Sequence, residues 1–322
     1  MESELKKQLN LLKVNQRNDL KLPSKNADFS LLFDFRNSKK IEIDTFFELG
    51  YMGLIELAKT EEKLLEFIAN IFSPFSKYYN RNMKTQEEIK EVDQNIESLI
   101  KLLNPYFLNQ SCHKIIEFLI KIYQVNIYNS RLLLLTFLPF HESKIFIKLI
   151  QNINLENIKH FSFMSQSAKN GTMIPKEQVI TELSKNYELF KEILDFYACN
   201  LENNYKFSAY STFIFDLITK VLLSKEKTNE NIITLIIKFL NSLFIYIKKK
   251  STHDQNLPLI ISGVCEILLC LLTKFDISAE YYCAIVNEYI LTIVSKLYKL
   301  SNNLTRFSGS LIILFSVKVY ML

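Results

Sequence analysis

Between residues 85 and 103 the apolar positions are Ile89, Val92, Ile96, Leu99, Ile100 and Leu103, spaced by threes and fours. That spacing places one greasy stripe on a helix, with charged residues covering the rest. The same period recurs along most of the chain. It predicts helices over 3–14, 45–60, 61–80, 85–103, 111–125, 130–138 and 141–152, then over 177–200, 205–224, 229–248, 257–274, 278–299 and 303 to the end. Asp44 is expected to cap the 45–60 helix and Ser111 the 111–125 helix, each offering an oxygen to free N–H groups. Pro74 bends or ends the 61–80 helix, because proline lacks the N–H that would continue it. Pro105 and Pro139 are expected to close two others.

Helices of this length joined by short polar turns predict stacked helical hairpins. The fold class is therefore all-α, an α-solenoid of HEAT- or armadillo-like pairs. The organisation expected is an N-terminal helix and polar loop over 1–28, helical repeats over 29–159, an irregular loop over 160–175, and continuing repeats over 176–322, in one elongated domain. The final apolar stretch stops without a polar cap, as in the front part of a longer array.

Composition strengthens this reading. Five glycines and six prolines in 322 residues are too few for turn-rich sandwiches or for phosphate-cradling loops. Two of those glycines, Gly50 and Gly53, lie inside a predicted helix, on nearly one face. Each costs about 1 kcal/mol against alanine there, so close approach of a neighbouring helix is expected in return. Net charge is +5, from 39 basic and 34 acidic residues that are interspersed, which describes a solvated surface rather than a nucleic-acid groove. The five cysteines form no C-x-x-C and are read as reduced, buried thiols. No uncharged apolar run reaches about 18 residues, so no membrane span is predicted. The nearest is 257–273, interrupted by Glu266.

The candidate chemistry is sparse. His141-Glu142 has the start of H-E-x-x-H, but the second histidine position is Ile145, so a zinc site fails. Glu142 is expected in the first turn of a helix, where its charge complements the dipole. Four histidines, none at ligand spacing, predict no metal, no cofactor and no catalytic residue. The lysine run 248–250 is expected at a helix C-terminus.

Three blocks carry a resemblance. The first holds Leu31, Leu32, Phe33 and Asp34, then Asp44, Gly50, Gly53 and Leu54. The second has Pro105, Tyr106, Phe107 and Leu108, then Glu117, Tyr128 and Asn129. The third has Pro139, His141, Glu142, Ile145 and Phe146. In this order they resemble the N-terminal region of the large nucleolar HEAT-repeat proteins of the U3 small nucleolar RNA-associated family. Phe35 stands where that family often has proline, and Phe161 and Phe163 where tryptophans are common. The resemblance implies a non-enzymatic scaffold of the small-subunit processome, located in the nucleus and nucleolus. It also implies a role in pre-18S rRNA processing and in support of rDNA transcription. The implied partners are other processome subunits, mainly β-propeller proteins with helical tails. Association with pre-rRNA and the U3 particle would be indirect, with no membrane and no small-molecule substrate. The motif positions are expected to be structural or interaction residues. The residues alone also allow a generic armadillo-like adaptor in the cytoplasm.

Overall fold

The computed structural model describes residues 43–203, 205–223, 230–251, 254, 256–274 and 293. The expected elements over 3–14, 278–299 and 303–322, and the motif residues Leu32, Phe33 and Asp34, lie outside the described residues, apart from Ile293. Eleven helices of six residues or more follow one another, with no strand among the described residues. They are α1 (Ile43–Ala58), α2 (Gln86–Leu103), α3 (Gln110–Phe118), α4 (Ser130–Phe137), α5 (Lys144–Ile150), α6 (Ser165–Asn170), α7 (Lys176–Lys185), α8 (Tyr187–Glu202), α9 (Ser208–Leu223), α10 (Glu230–Lys249) and α11 (Leu257–Lys274).

Helices two apart in sequence lie side by side. α1 packs on α3 and α2 on α4; later α7 packs on α9, α8 on α10 and α9 on α11. That alternation is what consecutive antiparallel hairpins produce when they stack in two layers, and the body is an all-α solenoid. One continuous apolar cluster runs between the layers from Leu54 to Leu272.

Glycine marks the closest crossings. A Cβ on Gly53 would sit 2.5 Å from the Ser111 carbonyl oxygen, and one on Gly50 2.6 Å from Phe118 Cβ. Both positions thus let α1 approach α3, as their spacing in the sequence predicts. Gly263 performs the same role where α11 crosses α9, facing the Phe215 ring.

Several elements differ from expectation. Asp44 lies within the first turn of α1, and its carboxylate meets Lys77 Nζ at 2.7 Å. The 61–80 stretch breaks into single turns, Glu62–Glu66, Phe67–Asn70 and Pro74–Tyr78. Pro74 holds Ser73 extended (ψ 152°), so the turns cannot merge. Asn109 rather than Ser111 caps α3, its side chain accepting from Ser111 N at 2.8 Å. That helix widens into a π-turn, Leu119–Tyr123, and stops at Gln124 in the left-handed region (φ 53°). The 177–200 helix divides at Asn186, whose side chain caps Leu189 N and also meets His160 Nδ1 at 2.8 Å. The stretch 160–175 carries a 3₁₀ turn, Ser162–Met164, and α6, and buries Phe161, Met164, Ala168 and Ile174 in the common core. Its four apolar anchors explain why it lies against the array.

By length and composition alone, α10 and α11 could each cross a membrane. Here about half of each is buried within the body, 50% and 56%, against α8 and α9 and against each other. Glu266 sits on the exposed side of α11.

Candidate docking surface

The third motif block forms a structural joint. Pro139 lies in the 3₁₀ turn Leu138–Phe140 that closes α4. His141 is buried, and its Nδ1 lies 2.9 Å from the Ile174 carbonyl oxygen. A carbonyl can only accept, so Nδ1 carries the proton. Ile174 N–H donates back to the His141 carbonyl at 3.4 Å, and the imidazole lies 5.8 Å from the Phe213 ring. Burial drives the His141 pKa below its ordinary value, against the weaker opposite effect of the Ile174 carbonyl. The ring therefore joins the turn after α4 to the entry of α7 and to α9. The cap of α5 is Ser143, whose hydroxyl accepts from Phe146 N at 3.1 Å. Glu142 is exposed and precedes that cap, so it is not in the first helical turn. Phe146 is fully buried and Ile145 half-buried. Among the described residues, no three His, Cys, Asp or Glu side chains converge on a metal-sized space.

The second block builds a second joint. Pro105 and Tyr106 lie in the 3₁₀ turn Asn104–Tyr106 after α2. The Tyr106 hydroxyl reaches Glu61 Oε2 at 3.4 Å, and Lys206 Nζ donates to the same oxygen at 2.7 Å. Glu61 is only 8% exposed. Sequence reasoning gave Glu61 and Lys206 no role, since nothing local distinguishes a carboxylate whose partner lies so far along the chain. Asn129 is buried at the start of α4, its carbonyl accepting from Leu133 N at 3.0 Å.

Tyr128 lies elsewhere, at a surface. The Arg81 guanidinium sits 4.1 Å from its ring centroid and forms a two-pronged pair with Asp93, at 2.8 and 2.6 Å. These residues border a cleft of about 310 Å³ lined by Tyr79, Asn80, Arg81, Asn82, Ile122, Tyr123, Gln124 and Tyr128. The Tyr79 and Tyr123 rings are 4.8 Å apart, and Tyr123 donates its hydroxyl to the Ile71 carbonyl at 2.9 Å. Immediate sequence neighbours of the lining residues are large, apolar and open to solvent. Tyr78 is 81% exposed and Met83 82%; Phe75, nearby, is 85%. Three such side chains within one short segment make it a candidate interaction surface. In "FSKYYNRNM" the aromatics Phe75, Tyr78 and Tyr79 stand at i, i+3 and i+4, the spacing of a buried helical stripe, so the exposure of Phe75 and Tyr78 was not legible from the pattern.

No protein-family model matches the chain. Relatives are nonetheless clear. The chain is 31% identical over 77% of its length to HEAT repeat-containing protein 1 of Homo sapiens, of which it spans 12%. It is 30% identical over 79% of its length to the Dictyostelium discoideum homologue of that protein, spanning 11%. To U3 small nucleolar RNA-associated protein 10 of Debaryomyces hansenii it is 25% identical over 89% of its length, spanning 14%. It thus corresponds to a small part of each relative's length. With its helices stacked in two layers, the chain is a homologue of the proteins named HEAT repeat-containing protein 1 and U3 small nucleolar RNA-associated protein 10.

Proposed function

We propose that this chain acts in ribosome biogenesis as a non-catalytic scaffold of the small-subunit processome. The observation that carries this reading is the similarity, over 89% of the chain, to a relative named for association with U3 small nucleolar RNA. The architecture suits the role. A stacked solenoid offers long continuous surfaces while each pair of helices depends only on its neighbours. Its two buried polar joints, at His141 and Glu61, are occupied by internal partners and so serve rigidity rather than reaction. The open segment around Phe75, Tyr78 and Met83 supplies apolar area for other subunits, which we take to be mainly β-propeller proteins with helical tails. Contact with pre-rRNA and the U3 particle is then indirect. The protein resides in the nucleolus and supports pre-18S processing and rDNA transcription.

The test uses the chain tagged at its genomic locus. Nucleolar signal, recovery of processome subunits on affinity purification, and accumulation of unprocessed pre-18S RNA on depletion are expected. Cytoplasmic signal with recovery of transport or signalling proteins, and unchanged pre-rRNA, would overturn the reading in favour of a generic adaptor.

A further inference from the structure

α8 and α10 lie side by side in one layer, and the Tyr197 and Phe239 rings meet between them at 6.0 Å. One helix separates them in the chain, so in a stack of antiparallel hairpins they run the same way. Their solvent faces differ in charge. The exposed charged residues of α8 are three acids, Glu188, Asp195 and Glu202, and one base, Lys191. After its first residue, Glu230, α10 has no acid, and its exposed charges are Lys238, Lys248 and Lys249. Among the described residues, none of these side chains has an ion-pair partner, and no ion pair crosses from one helix to the other. The helix dipole accounts for Glu188, Lys248 and Lys249, which sit at the favourable ends. It does not account for Asp195 and Lys238 in mid-helix, and Glu202, the last residue of α8, opposes it.

We propose that the seam between α8 and α10 docks a helix of a protein partner whose two edges carry opposite charge, acids over α10 and bases over α8. Lys191, Asp195, Ala198 and Glu202 recur along α8 at steps of four, three and four, and Lys238, Ser242, Ile245 and Lys249 repeat those steps along α10. Of these eight, Ala198 alone is half-buried and the rest are exposed. Phe239 turns toward α8, so Ser242, one turn later, stands at the border of the two helices. A third helix keeps the same steps and stays in register with both stripes, as rows of side chains do when helices pack. Ile245, 53% exposed among the lysines, offers it an apolar contact. A polyanion fits less well. Packed helices lie about 8–10 Å apart, close to the Debye length of about 8 Å at physiological salt. Phosphates of RNA or of an anionic membrane seated on the α10 lysines would therefore feel the α8 carboxylates, and so would a wholly acidic segment. Opposed charges of this kind fix which partner binds and in what register more than how tightly.

This inference rests on the reading of the chain as a partner-binding scaffold, and a titration in vitro separates the two. The full chain is titrated with a fluorescein-labelled helical peptide carrying an apolar line, glutamates along one edge and lysines along the other, read by anisotropy. The controls are a peptide of the same composition with its charges mixed on both edges, an all-glutamate and an all-lysine version, and oligouridylate. Saturable binding of the two-edged peptide is expected, about tenfold tighter than any control and weakened by salt. The double variant Lys238→Glu, Lys249→Glu makes both ridges acidic and should come to prefer the all-lysine peptide at an unchanged melting temperature. Should that variant fail to fold, Asp195→Lys with Glu202→Lys makes both ridges basic and should come to prefer the all-glutamate peptide. Equal binding of the mixed-edge control, an unaltered preference in a folded variant, or preference for the RNA overturns the inference. None of these outcomes depends on nucleolar location. Loss of processome association in cells with the peptide preferences intact would defeat the scaffold reading alone.

Discussion

Lys206 Nζ lies 2.7 Å from Glu61 Oε2, joining residues 145 positions apart, the loop after α1 to the loop before α9. The carboxylate is nearly enclosed, whereas the lysine side chain is half exposed (52%). Removing the lysine leaves a shielded charge that keeps the longer hydrogen bond from the Tyr106 hydroxyl. Lys206→Ala is expected to destabilise the fold by about 1 kcal/mol, solvent screening keeping the loss near the top of the range for surface pairs. Glu61→Gln, which retains an oxygen acceptor, should cost less. The hydrogen bond to Glu61 raises the Lys206 pKa above its ordinary value. Its contribution is therefore present at neutral pH and is lost as pH rises through that raised value. Urea titrations of both variants at neutral and strongly alkaline pH measure this.

Gly53→Ala should destabilise, although helix propensity alone predicts a gain of about 1 kcal/mol. The new methyl would press on the Ser111 carbonyl, a backbone atom that cannot swing aside. Overpacking of this kind costs about 1–3 kcal/mol, enough to reverse the propensity gain. Thermal melts of Gly53→Ala and Gly50→Ala provide the check; a raised midpoint in either would show that α1 and α3 are not in close contact.

His141 and His113 both have pKa values pushed below the ordinary histidine range, chiefly by burial. Each binds its proton more readily when unfolded. Their contribution is complete above the unfolded value, about 6.5, and is lost as pH falls from there through the depressed folded values. The midpoint of thermal unfolding should accordingly drop between neutral and mildly acidic pH. His141→Asn keeps a donor for the Ile174 carbonyl and removes one titrating group. It is expected to flatten that slope, whereas an unchanged slope would place the acid sensitivity elsewhere.

How much of this was legible beforehand depended on range. The helices with long apolar stripes, α2, α10 and α11, lie within a residue or two of their predicted spans, because period and cap act locally. Gly50 and Gly53 also revealed their purpose, since two helix-breaking residues on one face require a neighbour. The π-turn after Phe118, the break at Asn186 and the cap at Ser143 did not. Each is decided by a contact from outside the segment: Tyr123 to Ile71, Asn186 to His160, and the turn at His141 to Ile174. The motif residues themselves separate into two kinds that look alike in sequence. His141, Phe146 and Asn129 are internal, whereas Tyr128 borders an open cleft. Only burial distinguishes them.

Thr85 carries the start of α2. Its hydroxyl accepts from Glu88 N at 3.3 Å while Glu88 Oε2 accepts from Thr85 N at 2.9 Å, a reciprocal pair that satisfies two free donors. The hydrogen bonds from Lys84, first, and from Thr85 hold the Glu88 pKa down to about 2. Thr85→Ala should cost about 1 kcal/mol, within the usual range for caps, and should speed amide exchange in the first turn of α2 more than at its C-terminal end. Uniform exchange along the helix would contradict the cap's local role.

Phe75 and Tyr78 provide the sharpest contrast between stability and function. Both are more than four-fifths exposed, so a polar replacement removes almost no buried area. The double variant Phe75→Ser, Tyr78→Ser is expected to unfold within about 0.5 kcal/mol of the parent, as surface changes away from packed groups do. Its effect should appear in association. Apolar side chains left open to water favour covering by a partner, and each one buried contributes about 1.5–3 kcal/mol before the cost of ordering is subtracted. Affinity purification of the variant should therefore recover markedly less of whatever protein the parent recovers, at equal expression and equal melting temperature. Equal recovery would mean that partners attach to another face of the solenoid, and a collapse in stability would mean that the two rings support the fold rather than its contacts.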